Sequence, residues 1–335
     1  MDRRQAIAAA AGAAVWACDT SPRPANGKTH LTVALYPFLS MAGFYTAHEF
    51  GYFEDLDLDI EIVSNRNVAQ VAPLLAAGRL DVALTALAPA LITAVLRGAN
   101  IRVVAGRETA STTCGSAGAI YGNRKVFPNG RVDLRQLVGK RVAVQQRASL
   151  SEFYLDVMLA TVELSTSDCE IVYLAYPEAS AAIVSGRVDA IVYSQFEKDL
   201  AAASETVVRG PSLADVFPNM QYAQIFFGPT LLEGDPDVGA RFLAGYLRGA
   251  NEFLNGRTPV FLEEYAKSHN MDPERAKNSC RNTFTPDGSI VPEDVDRFVE
   301  WCVQRGYVEA APARDQLIDT TFIERAQEIH AGFSS

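Results

Sequence analysis

Two segments of this chain, Ala77-Gly-Arg-Leu-Asp-Val-Ala-Leu-Thr85 and Ser185-Gly-Arg-Val-Asp-Ala-Ile-Val-Tyr193, match position by position. In each, a helical pattern ends on a glycine (Gly78, Gly186), a polar turn carries an aspartate (Asp81, Asp189), and an apolar strand-like run follows. Any helix-to-strand turn favours Gly at the left-handed end of the helix and Asp in the turn, which accounts for either copy alone. Two copies in matching context constrain the fold further. They predict two lobes of similar topology.

The surrounding pattern agrees. Residues 30–35, 59–63, 82–85 and 101–105 read as strands, and 41–53, 68–77 and 89–97 as the helices between them. The rhythm restarts with strands at 140–144 and 169–174 around a helix over 151–163. Such alternation predicts an α/β fold, each lobe a mostly parallel sheet flanked by helices. From about Tyr222 an apolar run at 223–227 leads into amphipathic helices at 238–254, 260–267, 273–282 and 293–305. These are expected to return to the first lobe. The division is then 30–110 with 222–335 as lobe 1 and 111–221 as lobe 2, with crossings near 107–116 and 212–222.

Composition removes several function classes. The 335 residues, 48% hydrophobic and 21% charged, suffice for the cores of two ordinary domains. A formal charge of −10 excludes a nucleic-acid partner, whose affinity comes from clustered Lys and Arg releasing counterions. An anionic small molecule stays open, because N–H groups at a helix start hold an anion whatever the net charge. His30, His48, His269 and His330 are scattered without an HxH or HExxH spacing, so no metal is expected. There is no GxSxG, P-loop or dinucleotide fingerprint, and no cofactor is expected.

The first 18 residues read as an address. Arg3 and Arg4 precede an alanine-dominated apolar run over 6–17, too short to span a bilayer. Val15-Trp-Ala-Cys18 resembles the lipobox of bacterial lipoproteins, with Trp16 where a small residue is usual, which implies a lipid on Cys18. The arginine pair also resembles a twin-arginine signal, so the export route stays open. Residues 19–29, polar and rich in turn formers, read as a tether. Lipidation of Cys18 leaves Cys114, Cys169, Cys280 and Cys302. Cys280 and Cys302 can pair in the C-terminal helical region, but all four read as isolated thiols.

Ligands of open α/β sheets lie beyond the carboxyl ends of the strands, which selects four segments and one addition. Tyr36, Phe38 and Ser40 follow the first strand and offer stacking faces, whereas Phe44 reads as packing between helix and sheet. Asn65 and Arg66 follow the second, and Arg66 can pair with an anion or stand solvated. Thr85 and Ala86 precede a helix begun by Pro89, with backbone N–H groups aimed at the cleft. Ser149-Leu-Ser-Glu152 has capping-box spacing, so Ser149 and Ser151 sit at a helix start whose dipole favours an electronegative group. Tyr193, Gln195 and Glu197 follow the echoed strand as an aromatic wall and a carboxylate. Aromatics with a carboxylate suit a planar N-heterocycle, because rings stack and Glu accepts N–H donors.

Gly51-Tyr-Phe-Glu, Leu58-Asp-Ile-Glu-Ile-Val63, Leu137-Val-Gly-Lys-Arg-Val-Ala-Val144, Ser151-Glu-Phe-Tyr-Leu-Asp156 and the two echoed segments together resemble the solute-binding proteins of ABC importers. The subgroup is the SsuA/THI5-like, or NMT1-like, family, and the resemblance runs from about residue 30 to 310. It implies a two-lobed periplasmic-binding-protein-like fold (type II), a two-stranded hinge, and closure on a small molecule. It further implies delivery to an ABC permease and its ATPase and a monomer; with the lipid expected on Cys18, residence is periplasmic or on the extracytoplasmic face, lipid-anchored to the cell membrane. In pyrimidine binders of the family an aromatic and an acidic residue occupy a comparable place, Tyr193 standing here where tryptophan is common. That implies a thiamine-pyrimidine precursor as ligand, with a sulfonate or taurine-type anion as the alternative. An enzyme on the same fold is the main rival, and the cysteine-rich cluster and histidine of the pyrimidine-synthesising relatives have no counterpart here. A sensor subunit that docks on a receptor is the second.

Overall fold

The computed structural model describes residues 27–64, 68–111, 118–193, 205–268, 271–277 and 283–333. Its strands are β1 (Thr29–Leu35), β2 (Leu58–Ser64), β3 (Val82–Thr85), β4 (Arg102–Thr109), β5 (Ala119–Asn123), β6 (Arg141–Val144), β7 (Glu170–Tyr173), β8 (Ala190–Tyr193), β9 (Val207–Ser212) and β10 (Gln221–Phe227). They form two five-stranded sheets, ordered β2-β1-β3-β10-β4 and β7-β6-β8-β5-β9. In the first, β10 runs antiparallel to both neighbours; in the second, β5 does. The remaining pairs are parallel. Each sheet is thus a parallel set into which one reversed strand, reached straight after a crossover, is wedged between the third and fourth members. This is the two-lobed α/β architecture of periplasmic binding proteins.

The internal echo has a common physical cause in both lobes. The Asp81 carboxylate accepts from the backbone N–H and hydroxyl of Thr32 on β1, at 2.7 and 2.8 Å. The Asp189 carboxylate accepts from the backbone N–H of Arg141 on β6 at 2.9 Å, and from its guanidinium. In each copy the aspartate ties the strand that follows it to the first strand of its own parallel set. Gly78 and Gly186, with φ of 62° and 78°, make the left-handed turn that brings the aspartate there.

Among the described residues, the helices of eight or more residues are α1 (Ala42–Glu49), α2 (Val68–Ala76), α3 (Pro89–Leu96), α4 (Leu150–Ala160), α5 (Tyr176–Ser185), α6 (Pro236–Leu254), α7 (Phe261–Ser268), α8 (Pro292–Gln304) and α9 (Thr321–Ala331). Helices α1, α6, α7 and α9 bury one face of the first sheet, around Phe53, Phe227 and Phe242. Gly249 lets α6 lie against α1, since a β-carbon there would stand 2.4 Å from the Ala47 nitrogen. On the second sheet, α5 closes a smaller core with Ala143, Ile191 and Tyr193. Helix α4 covers the opposite face.

Helix α8 departs from the expectation that it serves the first lobe alone. Its Val295, Phe298 and Val299 belong to one continuous core with Leu91 and Val95 of α3 and with Phe153 and Leu155 of α4. Phe298 and Trp301 meet Phe153 edge to face at 5.2 and 5.3 Å. Trp301 donates its Nε1–H to Asp156 at 2.9 Å. An amphipathic pattern announces a face to bury but not how many neighbours share it. Here two do, one from each lobe.

Candidate functional site

Two of the segments expected to bind ligand, those around Thr85 and Ser149, border one recess. Between the lobes lies a small recess of ≈ 10 Å³, partly open to solvent, lined by Leu87 beyond β3, Leu150 and Phe153 of α4, Tyr222 and Gln224 of β10, and Phe298 of α8. Thr85 and Ala86 stand immediately before Leu87, and Ser149 and Ser151 flank Leu150, so both predicted segments border it. Tyr36 and Phe38, half-buried, lie with ring centroids 3.8 Å apart beyond β1. Phe44 is fully buried as packing. Asn65, Arg66, Gln195 and Glu197 lie outside the described residues, as does Cys18.

The structure corrects three expectations about these groups. Tyr193 is no cleft wall. It is 3% exposed, its ring sits in the small core of the second lobe, and its hydroxyl meets Ser180 Oγ of α5 at 2.8 Å. Alternation along β8 turns its side chain to that face. Nor is every amide of the 85–88 loop free for a ligand, because the Leu87 N–H donates to Gln224 Oε1 at 3.2 Å. The capping box at α4 does not form. Ser149 Oγ donates back to the Gln146 carbonyl at 2.7 Å, and no side chain caps the helix. Glu152 takes the Ala148 N–H at 2.6 Å, holding that alanine at φ 59°, and accepts from the Tyr307 hydroxyl at 2.8 Å. The first-turn amides of α4 therefore keep their donors for another acceptor.

A polar cluster in the strands that cross between the lobes was not foreseen. Arg107 Nη1 donates to the Ser40 carbonyl and to Glu108 Oε1, both at 2.9 Å. Both side chains of that pair are nearly inaccessible, 5% and 1% exposed. Burial pushes the Glu108 carboxyl up, against the lowering effect of Arg107 and of hydrogen bonds from Tyr222 and Ser40. Burial raises the Tyr222 phenol well above its ordinary value, with Glu108 adding to the effect. Tyr222 also meets Tyr154 of α4 edge to face at 6.2 Å. The sequence signal was the charged pair inside an otherwise apolar strand.

Two thiols fall within the described residues, and neither is suited to nucleophilic work. Cys169 and Cys302 are free, and burial pushes them to about 11 and about 12. Cys114 and Cys280 lie outside the described residues. Among the described residues there is no group of three or more His, Cys, Asp or Glu able to hold a metal, and no helix long and apolar enough to cross a membrane.

Two α/β lobes with a recess between them define the class of binding folds to which the chain is similar. The ligand-binding component of an ABC-type import system from Staphylococcus aureus is 15% identical, covers 89% of this chain and 99% of its own, and superposes with a TM-score of 0.67. The periplasmic aliphatic sulphonate-binding protein SsuA of Escherichia coli is 19% identical, with 87% and 92% covered and a TM-score of 0.64. The desulfurization enzyme DSZB is 14% identical, with 90% and 100% covered and a TM-score of 0.63. At these identities the likeness is one of fold. No curated protein matches in sequence. Residues 39–257 match the family described as NMT1/THI5 like, and the chain belongs to that family.

Proposed function

We propose that the chain is the exported solute-binding component of an ABC importer, lipid-anchored through Cys18, that captures a small molecule with a planar ring between its lobes and hands it to a permease and its ATPase. The observation that carries this reading is the recess between the lobes, bordered by segments of both and by the crossing strands. Tyr36 and Phe38 supply apolar ring faces for a flat ligand, and an N-heterocycle of the thiamine-pyrimidine kind is the first candidate. A sulfonate-type anion is the second reading, favoured by the uncapped first turn of α4. The division into residues 30–110 with 222–335 and 111–221 belongs to this proposal, as do export and the lipid.

Catalysis is no part of it, although DSZB shares the fold. The described thiols are held protonated, and the described histidines, His30, His48 and His330, lie outside the recess lining. The test is a thermal-shift screen against pyrimidines, sulfonates, amino acids and inorganic oxyanions, since a ligand bound only by the folded chain raises Tm. A shift confined to one class, with the compound recovered unchanged by mass spectrometry, is the expected result. Chemical conversion of the compound would replace the binding reading with an enzymatic one.

A further inference from the structure

Residues 301–307, the last turn of α8 and the turn beyond it, form a strap held on the first lobe at both ends. Ahead of the strap, the start of α8 is bound to β10. Asp294 accepts the Gln221 backbone N–H at 2.8 Å, Gln221 Oε1 accepts the Val291 N–H at 3.2 Å, and Gln221 Nε2 donates to the Ser289 carbonyl at 2.9 Å. Behind it, Ile318 bridges to Val103 of β4, and the Asp319 N–H donates to the Val103 carbonyl at 2.9 Å.

The middle of the strap grips the other lobe. Trp301 donates to Asp156 Oδ2, the Arg305 guanidinium meets Asp156 at 3.7 Å and also the Thr166 hydroxyl, and the Tyr307 hydroxyl donates to Glu152 at 2.8 Å. Asp156 serves both sides, because its Oδ1 takes the Thr166 N–H at 3.0 Å within the second lobe and leaves Oδ2 for the strap. Gly306, at φ 69°, turns the chain back so that the Tyr307 ring meets Trp301 at 5.2 Å. These polar contacts are within reach of water: Arg305 is 28% and Asp156 14% exposed. Such bonds exchange for bonds to water when they break, so each holds only weakly and reversibly.

The grip also shuts the recess, whose walls include Phe298 of α8 and Leu150 and Phe153 of α4. Its volume of about 10 Å³ is room for one water, whereas sites for ring-sized molecules run to roughly 300 Å³ or more. The lobes must part before a ring can enter. A strap carried by one lobe cannot keep its hold on the other while they do.

We propose that residues 301–307 are an interlobe latch, carried by the first lobe, closed on Asp156 and Glu152 of α4, and released when the lobes part to admit a ligand. Arg305 and Tyr307 are its moving contacts. The purpose of the release rests on the solute-binding reading; the release itself does not. Each polar contact removed should raise the open population roughly fivefold, the net worth of one such hydrogen bond.

The experiment puts one nitroxide on each lobe of the full chain, at the exposed Arg97 and Ala160, through an unnatural ketone side chain that spares the native thiols. Pulsed electron resonance then measures their separation in the wild type and in Arg305→Met with Tyr307→Phe, which keep bulk and leave Trp301 on Asp156. Expected is one dominant separation in the wild type and, in the double variant, a second and longer one whose share grows at least tenfold. An unchanged distribution in the variant would reduce the contacts to packing and overturn the latch. A wild type already spread over both separations would overturn it too. If the double variant loses its far-ultraviolet dichroism, Asp156→Asn, which weakens the same grip from the other lobe, is read by the same two outcomes. No ligand enters the measurement, so its failure leaves the solute-binding reading standing. A latch that opens as expected, in a chain whose Tm shifts with none of the screened compounds, would survive while that reading falls.

Discussion

At the scale of single residues, two aspartates and a tyrosine make opposite points about how sequence maps to role. Asp81 and Asp189 are equivalent because each ties a strand back to the first strand of its own parallel set. Removing either carboxylate takes the acceptor from part-buried donors, so Asp81→Ala and Asp189→Ala should each cost about 1 kcal/mol in urea unfolding. The Asp189 carboxyl is held below the usual range, first by its hydrogen bond with Arg141. A depressed folded-state pKa gives stability that is present above the unfolded value of about 3.9 and is lost as pH falls through the folded one. The acid limb of wild-type stability should therefore be steeper than that of Asp189→Asn. Equal slopes would remove the ion pair from the account. Tyr193 makes the contrary point. In a cleft wall its loss would weaken binding and spare the fold. With the ring in the core, the expected effect is a loss of about 3–5 kcal/mol of stability. Tyr193→Phe should cost only about 1 kcal/mol, the Ser180 hydrogen bond, and leave ligand affinity unchanged.

At the scale of elements, the start of α4 shows where local pattern gives out. Ser149-Leu-Ser-Glu152 satisfies the spacing rule for a capping box, and a helix does begin there, at Leu150. The carboxylate goes elsewhere because Tyr307, distant in sequence, reaches Glu152, and the same carboxylate holds the left-handed Ala148. Tyr307 responds in kind, its phenol pushed up to about 12 by burial first and by Glu152 second. Glu152→Gln keeps the shape but gives up the ionic acceptor. It should cost on the order of 1–2 kcal/mol in thermal or urea unfolding, and Tyr307→Phe in the same background should add little, because the pair acts as one. Additive losses would separate the two residues. Most strands of the parallel sets were legible because their apolar runs stand between turn residues, as at 82–85 and 140–144. Strands β5 and β9 were not: both contain glycine and are held by pairing across the sheet, which leaves little periodicity to read. The site divided in the same way. The loop after β1, the segment after β3 and the start of α4 follow from strand ends, whereas Arg107, Glu108 and Tyr222 gather only through a register irregularity.

At the scale of the molecule, the question is whether two lobes amount to two folding units. Each has its own sheet, and each has a core of its own on one face, around Phe227 in the first and around Ile191 in the second. Were these all, the lobes could melt separately. The third core runs through both, with α8 as its common member: Val295 and Val299 share it with Leu91 and Val95 of the first lobe, and Phe298 and Trp301 with Phe153 of the second. Polar contacts follow the same line, from Trp301 to Asp156, Arg305 to Asp156 at 3.7 Å, and Asp294 to the backbone N–H of Gln221 at 2.8 Å. Separating the lobes would expose those aromatic faces to water, at about 25 cal/mol for each Å² uncovered. That penalty couples their unfolding. The expected outcome is one cooperative transition, with near- and far-ultraviolet dichroism coincident in urea and a calorimetric enthalpy equal to the van't Hoff value. Trp301→Ala deletes the indole that both donates to Asp156 and packs on Phe153, and it should separate the curve into two steps. A wild-type protein that already melts in two steps would mean that α8 belongs to one lobe and only touches the other.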